Sequence, residues 1–190
     1  LQTFTGNELI LKGALEARTA LITGYPVSPV AEVFEAVGRV AEHLDKIGVV
    51  AQIANNEGLS AARMNGARIV GLRSMTVMKS VGMHVAADGL AIGNLVESRK
   101  PEGGSIVVVG DDPWNETTQI HSDSRFLSQH LHMPVIEPAT FQELKDWIDD
   151  AFFLSGAQYR LIGHPYSGRY AGGASQKQKP GTGAETPVRQ

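Results

Sequence analysis

Short apolar runs alternate with helix-like segments along most of this 190-residue chain. The run Ile106–Val109 has four apolar residues and no polar alternation, which is typical of a strand covered on both faces. The regular alternation predicts an open, mainly parallel α/β sheet with helices on both faces. From apolar spacing we expect helices at Gly6–Arg18, Pro29–Leu44, Glu57–Ala67, His84–Glu97 and Gln142–Leu154, and strands at Ala20–Ile22, Val49–Ala54, Ile69–Thr76, Ile106–Val109, Val135–Ile136 and Tyr159–Ile162.

Composition favours a single domain with one substantial core. Hydrophobic residues make up 42% of the chain, and the formal net charge is −3. A chain with this charge lacks the basic surface that nucleic-acid binding requires, so we expect no such partner. From residue 166 onward, Gly, Ser, Lys, Gln and Pro replace large apolar residues, which predicts a flexible tail or linker over 166–190 and a domain over 1–165.

The chain contains no cysteine. Disulfides, thiolate zinc sites and iron–sulfur clusters held by this chain itself are therefore excluded. No apolar run reaches the length of a membrane-spanning helix, and the first residues lack a secretory signal pattern. We therefore expect no membrane contact and a cytoplasmic location.

Ligands of open parallel sheets bind outside the carboxyl ends of the strands, where strand-to-helix loops expose backbone amides. Four polar or glycine-rich loops are expected at that edge: Thr23–Pro29, Asn55–Glu57, Lys79–Asp88 and Gly110–Arg125. They define where candidate site residues should be sought.

Two of these loops offer groups that suit a cofactor or substrate. Ser28 has a hydroxyl at an expected helix start and is able to help hold a carboxylate, although a plain capped turn with Tyr25 as a packing residue explains the same pattern. Glu57 begins a helix, where the helix dipole favours an acid even without chemistry. Its functional interpretation is proton sharing with a ring nitrogen of a cofactor.

The other candidates have mainly structural interpretations. His84 is expected near a helix start, where a lone histidine is usually a surface or capping residue. Asp111 and Asp112 offer the oxygen ligands that Mg²⁺ selects, but no second polar ligand follows at the expected spacing, which favours a solvated turn. His130 and His132 lack a third ligand. No metal site is predicted on this chain.

Several segments, in this order and spacing, carry a resemblance to a known family. From about Gly6 to Asp149 the chain resembles the pyrimidine-binding domain of 2-oxoacid:ferredoxin oxidoreductases, most closely the indolepyruvate branch. The segments that carry it are Gly6–Glu8, Gly13–Ala17, Gly24–Pro29, Asn56–Glu57, Met78–Asp88, Val109–Pro113 and Asp123–Arg125.

The resemblance implies a thiamine-diphosphate-binding fold and roles for individual residues. Glu57 would be the catalytic acid that protonates the aminopyrimidine ring of thiamine diphosphate. Residues of the first and third loops would contact the cofactor along with Glu57: Gly24, Tyr25, Pro26, Gly82 and His84. Tyr25, Ser28 and His84 would contact the substrate.

Two positions depart from the family pattern. Ser28 replaces a threonine that is usual in the Tyr-Pro turn, which keeps the hydroxyl but loses a methyl group. His84 replaces a common asparagine and brings a titratable ring to this segment. Both departures concern the expected substrate end of the site.

The resemblance also implies partners, because this sequence lacks both the diphosphate-binding domain with its magnesium motif and any cysteine clusters. A partner subunit or domain would supply Mg²⁺, and a ferredoxin or iron–sulfur subunit would accept electrons. The expected reaction is oxidative decarboxylation of a 2-oxoacid, with aryl acids as candidates, to an acyl-CoA with coenzyme A, in a hetero-oligomer. The alternatives are a subunit of a non-oxidative thiamine-diphosphate-dependent decarboxylase and a non-catalytic α/β partner module.

Overall fold

A computed structural model describes residues 3–95, 98–100, 102–116, 119, 121–156 and 161–163. These residues form helices α1 to α7 and strands β1 to β6, which alternate along much of the chain. Their bounds, in chain order, are α1 Gly6–Glu16, β1 Leu21–Gly24, α2 Glu32–Arg39, α3 Ala41–Ile47, β2 Val50–Ile53, α4 Glu57–Ile69, β3 Arg73–Lys79, α5 Ser80–Asn94, β4 Gly104–Gly110, α6 Ser124–His130, β5 Val135–Ile136, α7 Phe141–Gly156 and β6 Leu161–Gly163.

The strands form one six-stranded sheet in the order β2-β1-β3-β4-β6-β5. Every neighbouring pair is parallel. Helices cover both faces, so the predicted α/β fold class is confirmed. Because all strands run the same way, their carboxyl ends meet at one edge of the sheet.

One face of the sheet is covered by α1, α2 and α7. Alternate strand residues point to this face, which is why Met75 and Val77 pack with Ile106 and Val108. Large side chains from the helices complete the cluster, including Ile10, Phe34, Ile148 and Phe152.

The opposite face is covered by α4 and α5, with α6 packed against α5. The intervening strand residues contribute here, since Met78, Val107 and Val109 pack with helical side chains. Those helical side chains are small or flexible: Ala61, Met64, Met83, Ala86 and Leu90. Two hydroxyls of β3 also bond to α4, Ser74 to the Met64 carbonyl and Thr76 to Ser60.

Several predicted bounds were wrong. The helix expected over Pro29–Leu44 is two helices that meet at Val40, in a stretch where Gly38 and β-branched valines lower helix propensity. The strand expected at Ile69–Thr76 is Arg73–Lys79, because Ile69 completes α4 and Gly71 turns the chain at φ 85°.

No helix in the described ranges is long and apolar enough to cross a membrane. The predicted tail at 166–190 lies outside the described residues, as does the start of the strand expected at Tyr159.

Candidate functional site

Strands β1, β2 and β3 place two of the predicted segments side by side. Gly24, the last residue of β1, pairs in register with Ile53 of β2 and Val77 of β3. The Gly24 carbonyl accepts a hydrogen bond from the Ala54 amide at 2.8 Å, three residues before Glu57. The Gly24–Pro29 and Asn55–Glu57 segments therefore leave the sheet next to each other.

Gly24 is required by close packing. A Cβ at this position would lie 2.1 Å from the Val77 carbonyl oxygen and 2.9 Å from the Phe34 ring. Any other residue would push the start of the loop away from β3. The requirement for glycine at position 24 therefore comes from its contacts with Val77 of β3 and with Phe34.

Glu57 is the first residue of α4 and is only 8% exposed. Asn56 caps the helix, and its side chain accepts a hydrogen bond from the Leu59 amide at 2.8 Å. Since Asn56 already caps the helix, the Glu57 carboxylate is not required for that purpose. It makes no hydrogen bond or ion pair with any residue in the described part of the chain, which is unusual for a buried acid.

Gly82 of α5 lies directly against this carboxylate. A Cβ on Gly82 would approach Glu57 Oε1 to 2.2 Å, so only glycine leaves room for the carboxylate where it is. Gly58 and Gly89 make similar close approaches between the two helices, to the Val85 carbonyl and to Ala61. Small residues therefore bring α5 against the first turn of α4.

The prediction of a loop over Lys79–Asp88 was wrong, because α5 begins at Ser80 and not at His84. Lys79 ends β3, and the chain enters the helix at the next residue without a loop. The glycine at 82 suggested a loop, but here it serves helix packing. His84 consequently lies in the second turn of α5, where it is exposed.

The Tyr-Pro segment forms a turn instead of a helix start. The Val30 amide donates to the Val27 carbonyl at 3.1 Å, and α2 begins only at Glu32. Ser28 is therefore not the cap of α2, contrary to the prediction. Ser28 is half-buried and precedes a cis peptide bond to Pro29, while Tyr25 is 38% exposed.

The Asp111–Asp112 turn is buried, where a solvated turn was expected. Asp111 is 5% exposed, and its Oδ2 accepts hydrogen bonds from the amide and hydroxyl of Ser124, both at 3.0 Å. Asp112 Oδ1 accepts from the Glu116 amide at 2.9 Å. These carboxylates fix the chain after β4 by satisfying backbone amides. Within the described residues, no group of three or more His, Asp or Glu side chains could hold a metal.

Helix α6 was not predicted, because its residues were assigned in part to the Gly110–Arg125 loop. Asp123 caps it by accepting from the Arg125 amide at 3.0 Å and also pairs with the Arg125 guanidinium. That pairing raises the pKa of Arg125. The aspartate before the helix was the available sequence signal. His130 and His132, exposed near the helix end, make no cluster with a third ligand in the described ranges.

Asn7 is a buried polar residue for which sequence reasoning found no role. It lies in the first turn of α1, is 3% exposed, and donates to the Pro29 carbonyl at 3.3 Å and to Glu32 Oε2 at 3.0 Å. Its position beside the Tyr-Pro turn follows from tertiary packing of α1 on α2, which the local pattern does not reveal.

A solved structure with the same fold is the 2-oxoglutarate:ferredoxin oxidoreductase from Magnetococcus marinus with 2-oxoglutarate, coenzyme A and succinyl-CoA bound. The TM-score is 0.74 at 21% sequence identity, over 90% of this chain and 30% of that one. At this identity the likeness shows the fold. No model of a protein family matches the sequence.

Sequence relatives indicate the class: the chain is similar to one segment of subunits from the 2-oxoacid:ferredoxin oxidoreductase family. Within it, the chain is homologous to a segment of indolepyruvate oxidoreductase subunit IorA. It is 37% identical to the Pyrococcus horikoshii subunit over 157 residues, which are 83% of this chain and 23% of that subunit. The Archaeoglobus fulgidus IorA subunit is 34% identical over 151 residues, which are 79% of this chain and 24% of that subunit.

A 2-oxoglutarate synthase subunit KorA from Archaeoglobus fulgidus is 29% identical over 98 residues, 52% of this chain and 28% of that subunit. The chain thus spans about a quarter of the length of the curated relatives it matches. The predicted resemblance to this family is confirmed.

Proposed function

We propose that this chain is the pyrimidine-binding part of a thiamine-diphosphate-dependent 2-oxoacid:ferredoxin oxidoreductase, which converts a 2-oxoacid and coenzyme A to an acyl-CoA. The observation that carries the proposal is the buried Glu57 carboxylate, which has no hydrogen-bonding partner among the described residues. Homology to IorA and KorA subunits supports the reaction class.

The residues at the sheet edge fit the pyrimidine end of this cofactor. The Glu57 side chain is 8% exposed and its carboxylate has no partner among the described residues, so a ring nitrogen can supply a partner by sharing a proton. The Thr23 hydroxyl, on the residue before the end of β1, is fully buried without a partner in the described part of the chain. When bound, thiamine diphosphate supplies an electron sink for decarboxylation of a 2-oxoacid.

In this proposal, Glu57 holds the proton that it shares with the ring nitrogen. Gly82 positions Glu57, because it leaves the space that the carboxylate occupies. Gly24, Tyr25 and Pro26 line the cofactor from the first strand. The site excludes bulk water on its inner side, since α4 and α5 pack closely there.

Tyr25, Ser28 and His84 form the substrate end. Tyr25 and His84 are exposed and Ser28 is half-buried, which suits contact with a ligand that enters from outside the domain. Ser28 donates a hydroxyl hydrogen to the substrate carboxylate, and the His84 imidazole adds a second group that can hydrogen-bond to the substrate.

A partner subunit or domain completes the cleft, supplying the diphosphate site with Mg²⁺ and, through an iron–sulfur protein or ferredoxin, the electron acceptor. Apolar side chains on the outer surface of α4 and α5 support this assignment. Leu59 is 39% exposed, Val85 56% and Ile92 53%. Such a patch beside a buried acid is typical of a surface that a partner covers.

The test replaces Glu57 with glutamine in the native assembly that contains this chain. Loss of an acid that transfers a proton to the cofactor should lower turnover by about 10²- to 10⁴-fold. The assay follows reduction of a ferredoxin acceptor with thiamine diphosphate, coenzyme A and a 2-oxoacid, with indolepyruvate, phenylpyruvate and 2-oxoglutarate compared.

Glu42→Gln is the matched control, because Glu42 is an exposed acid in the first turn of α3 and shares only the helix-dipole effect. It should leave turnover unchanged. Equal turnover in the Glu57→Gln and wild-type assemblies would contradict the proposal. Release of an aldehyde without reduction of the acceptor would instead identify a non-oxidative decarboxylase.

A further inference from the structure

We infer that Asn7 is a positioning residue that fixes the turn formed by residues 24–30 and thereby holds Tyr25 and Ser28 in the substrate site; the inference rests on the proposed function for the role of that turn. Its basis is a buried side-chain amide that joins three elements: the first turn of α1, the end of the turn, and the start of α2.

The Asn7 amide bonds to both sides of the turn's exit. It donates to the Pro29 carbonyl at 3.3 Å and to Glu32 Oε2 at 3.0 Å, and the side chain is 3% exposed. The Pro29 carbonyl lies before α2 begins, so it is not used in that helix. Without Asn7, this buried carbonyl would lose its partner, at the cost of an unsatisfied polar group.

The turn is also held from the other side of the sheet edge. Gly110, at the end of β4, lies so close that an added Cβ would be 2.9 Å from Pro29 and 2.7 Å from Val30. Pro29 and Val30 therefore contact the end of β4, and the Pro29 carbonyl is bonded to Asn7. The part of the turn before them contains the exposed Tyr25 and the half-buried Ser28.

A second contact keeps α1 and α2 in register around Asn7. Glu8 pairs with Arg39 at 2.8 Å and closes the capping box with Thr5. This ion pair is exposed, so it contributes little stability. The helix pair remains docked when the Asn7 amide is removed, because Ile10 of α1 and Phe34 of α2 still pack in the same buried cluster. An effect on the turn can therefore be measured separately.

The experiment compares Asn7→Ala with wild type in the native assembly by two measurements. Hydrogen exchange is followed at the amides of Tyr25, Val30 and Val33, which are hydrogen-bonded in the turn and at the start of α2. Steady-state kinetics with indolepyruvate and 2-oxoglutarate give KM and kcat, and titration gives the affinity for thiamine diphosphate.

We expect exchange at Val30 and KM for the 2-oxoacid each to rise by roughly 2- to 10-fold, which corresponds to the loss of one hydrogen bond. Affinity for thiamine diphosphate and kcat should change by less than about 2-fold, since Glu57 and Gly82 are not touched. A purely structural role would lower the amount of folded protein without this separation of KM from kcat.

Asn94→Ala is the matched control. Asn94 also donates its side-chain amide to a backbone carbonyl, that of Leu131, but at the end of α5 that is remote from the carboxyl edge. It should leave exchange at Val30 and the KM at their wild-type values.

The double variant Asn7→Asp with Glu32→Gln covers the case in which Asn7→Ala folds poorly. It reverses the direction of the α1–α2 hydrogen bond, because the glutamine amide donates to the aspartate. The aspartate at position 7 has no amide group, so it cannot donate to the Pro29 carbonyl as Asn7 does. Raised exchange and a raised KM in this variant would support the inference.

Unchanged exchange at Val30 in both variants would overturn the inference. So would raised exchange with an unchanged KM, and in that case a large loss of turnover in Glu57→Gln shows that the proposed function itself stands. If the wild-type assembly shows no thiamine-diphosphate-dependent turnover, the proposed function fails and the substrate role of the turn fails with it.

Discussion

The face of the sheet covered by α1, α2 and α7 is packed with branched and aromatic side chains, whereas the α4–α5 face is packed with methionine, alanine and glycine. On the first face, helices are also tied together by ion pairs, such as Lys145 of α7 with Glu16 of α1. On the second, close approach is achieved with glycines, and the Glu57 carboxylate lies between the helices without such a tie. The first face therefore holds the larger side chains of the core, and the second places the Glu57 carboxylate at the carboxyl edge of the sheet.

The largest stability effect is expected on the first face. Phe152 of α7 is 2% exposed, and Arg73 lies over its ring at 5.3 Å. Phe152→Ala should lower the free energy of unfolding by about 3–5 kcal/mol, because it leaves a cavity in the large-residue core. Denaturant unfolding measures the change.

Phe153→Ala on the same helix is the control. Phe153 is 74% exposed, so its removal should change stability by less than about 0.5 kcal/mol. If the two variants were equally stable, the first face would not be the main source of stability.

On the second face, Gly82→Ala should affect both stability and the site. The added Cβ would lie 2.2 Å from Glu57 Oε1, so either the carboxylate or α5 must move. Overpacking of this kind costs about 1–3 kcal/mol. Thiamine diphosphate affinity should fall in parallel, and titration of the native assembly measures it.

Gly66→Ala on α4 is matched to this change, because an added Cβ there meets nothing within 4 Å. It should raise stability by up to about 1 kcal/mol through better helix propensity. A Gly82→Ala variant that behaved like Gly66→Ala would show that the close contact with Glu57 has no consequence.

The smallest effect concerns the ion pair of the first face. Burial acts to raise the pKa of Glu16, but hydrogen bonds from Lys145 and Lys12 outweigh burial and lower it below its ordinary value of 4.5. A lowered folded-state pKa stabilises the fold above the ordinary value, and this stabilisation is lost as pH falls through the folded-state pKa.

Glu16→Gln should therefore lower the free energy of unfolding by about 0.5–1 kcal/mol at pH 7, and the difference from wild type should be smaller at pH 3. Asp150→Asn, an exposed change on α7, should show no such pH dependence. A Glu16→Gln effect of equal size at both pH values would rule out the ionic origin.

The fold class could be predicted because short apolar runs alternate with segments of helical apolar spacing. Each of these patterns depends only on residues that are close in the sequence. The strand at Ile106–Val109 and the helix start at Glu57 could be predicted for the same reason, since each depends on adjacent residues. The start of α5 was misplaced, because a glycine that packs against another helix has the same local pattern as one in a loop. Glycine at 82 acquires its meaning only through Glu57, 25 positions earlier in the sequence.

The positions of the candidate residues in the fold were predicted in part, for the same reason. Glu57 and the Tyr-Pro turn lie at the sheet edge as expected, whereas Ser28 does not cap α2 and Asp111 is buried. Asn7 was assigned no role, because its two acceptors lie 22 and 25 residues away and only the docking of α1 on α2 brings them together.

The central claim is that Glu57 shares a proton with a nitrogen of the aminopyrimidine ring. The most direct test is a double-mutant cycle that combines Glu57→Gln with a thiamine diphosphate analogue in which carbon replaces that nitrogen. Each change alone should lower turnover of the native assembly by about 10²-fold or more. If Glu57 acts through that nitrogen, the two changes together should cost little more than either one, a strong non-additivity. Losses that multiply, or a Glu57→Gln variant as active as wild type, would contradict the account.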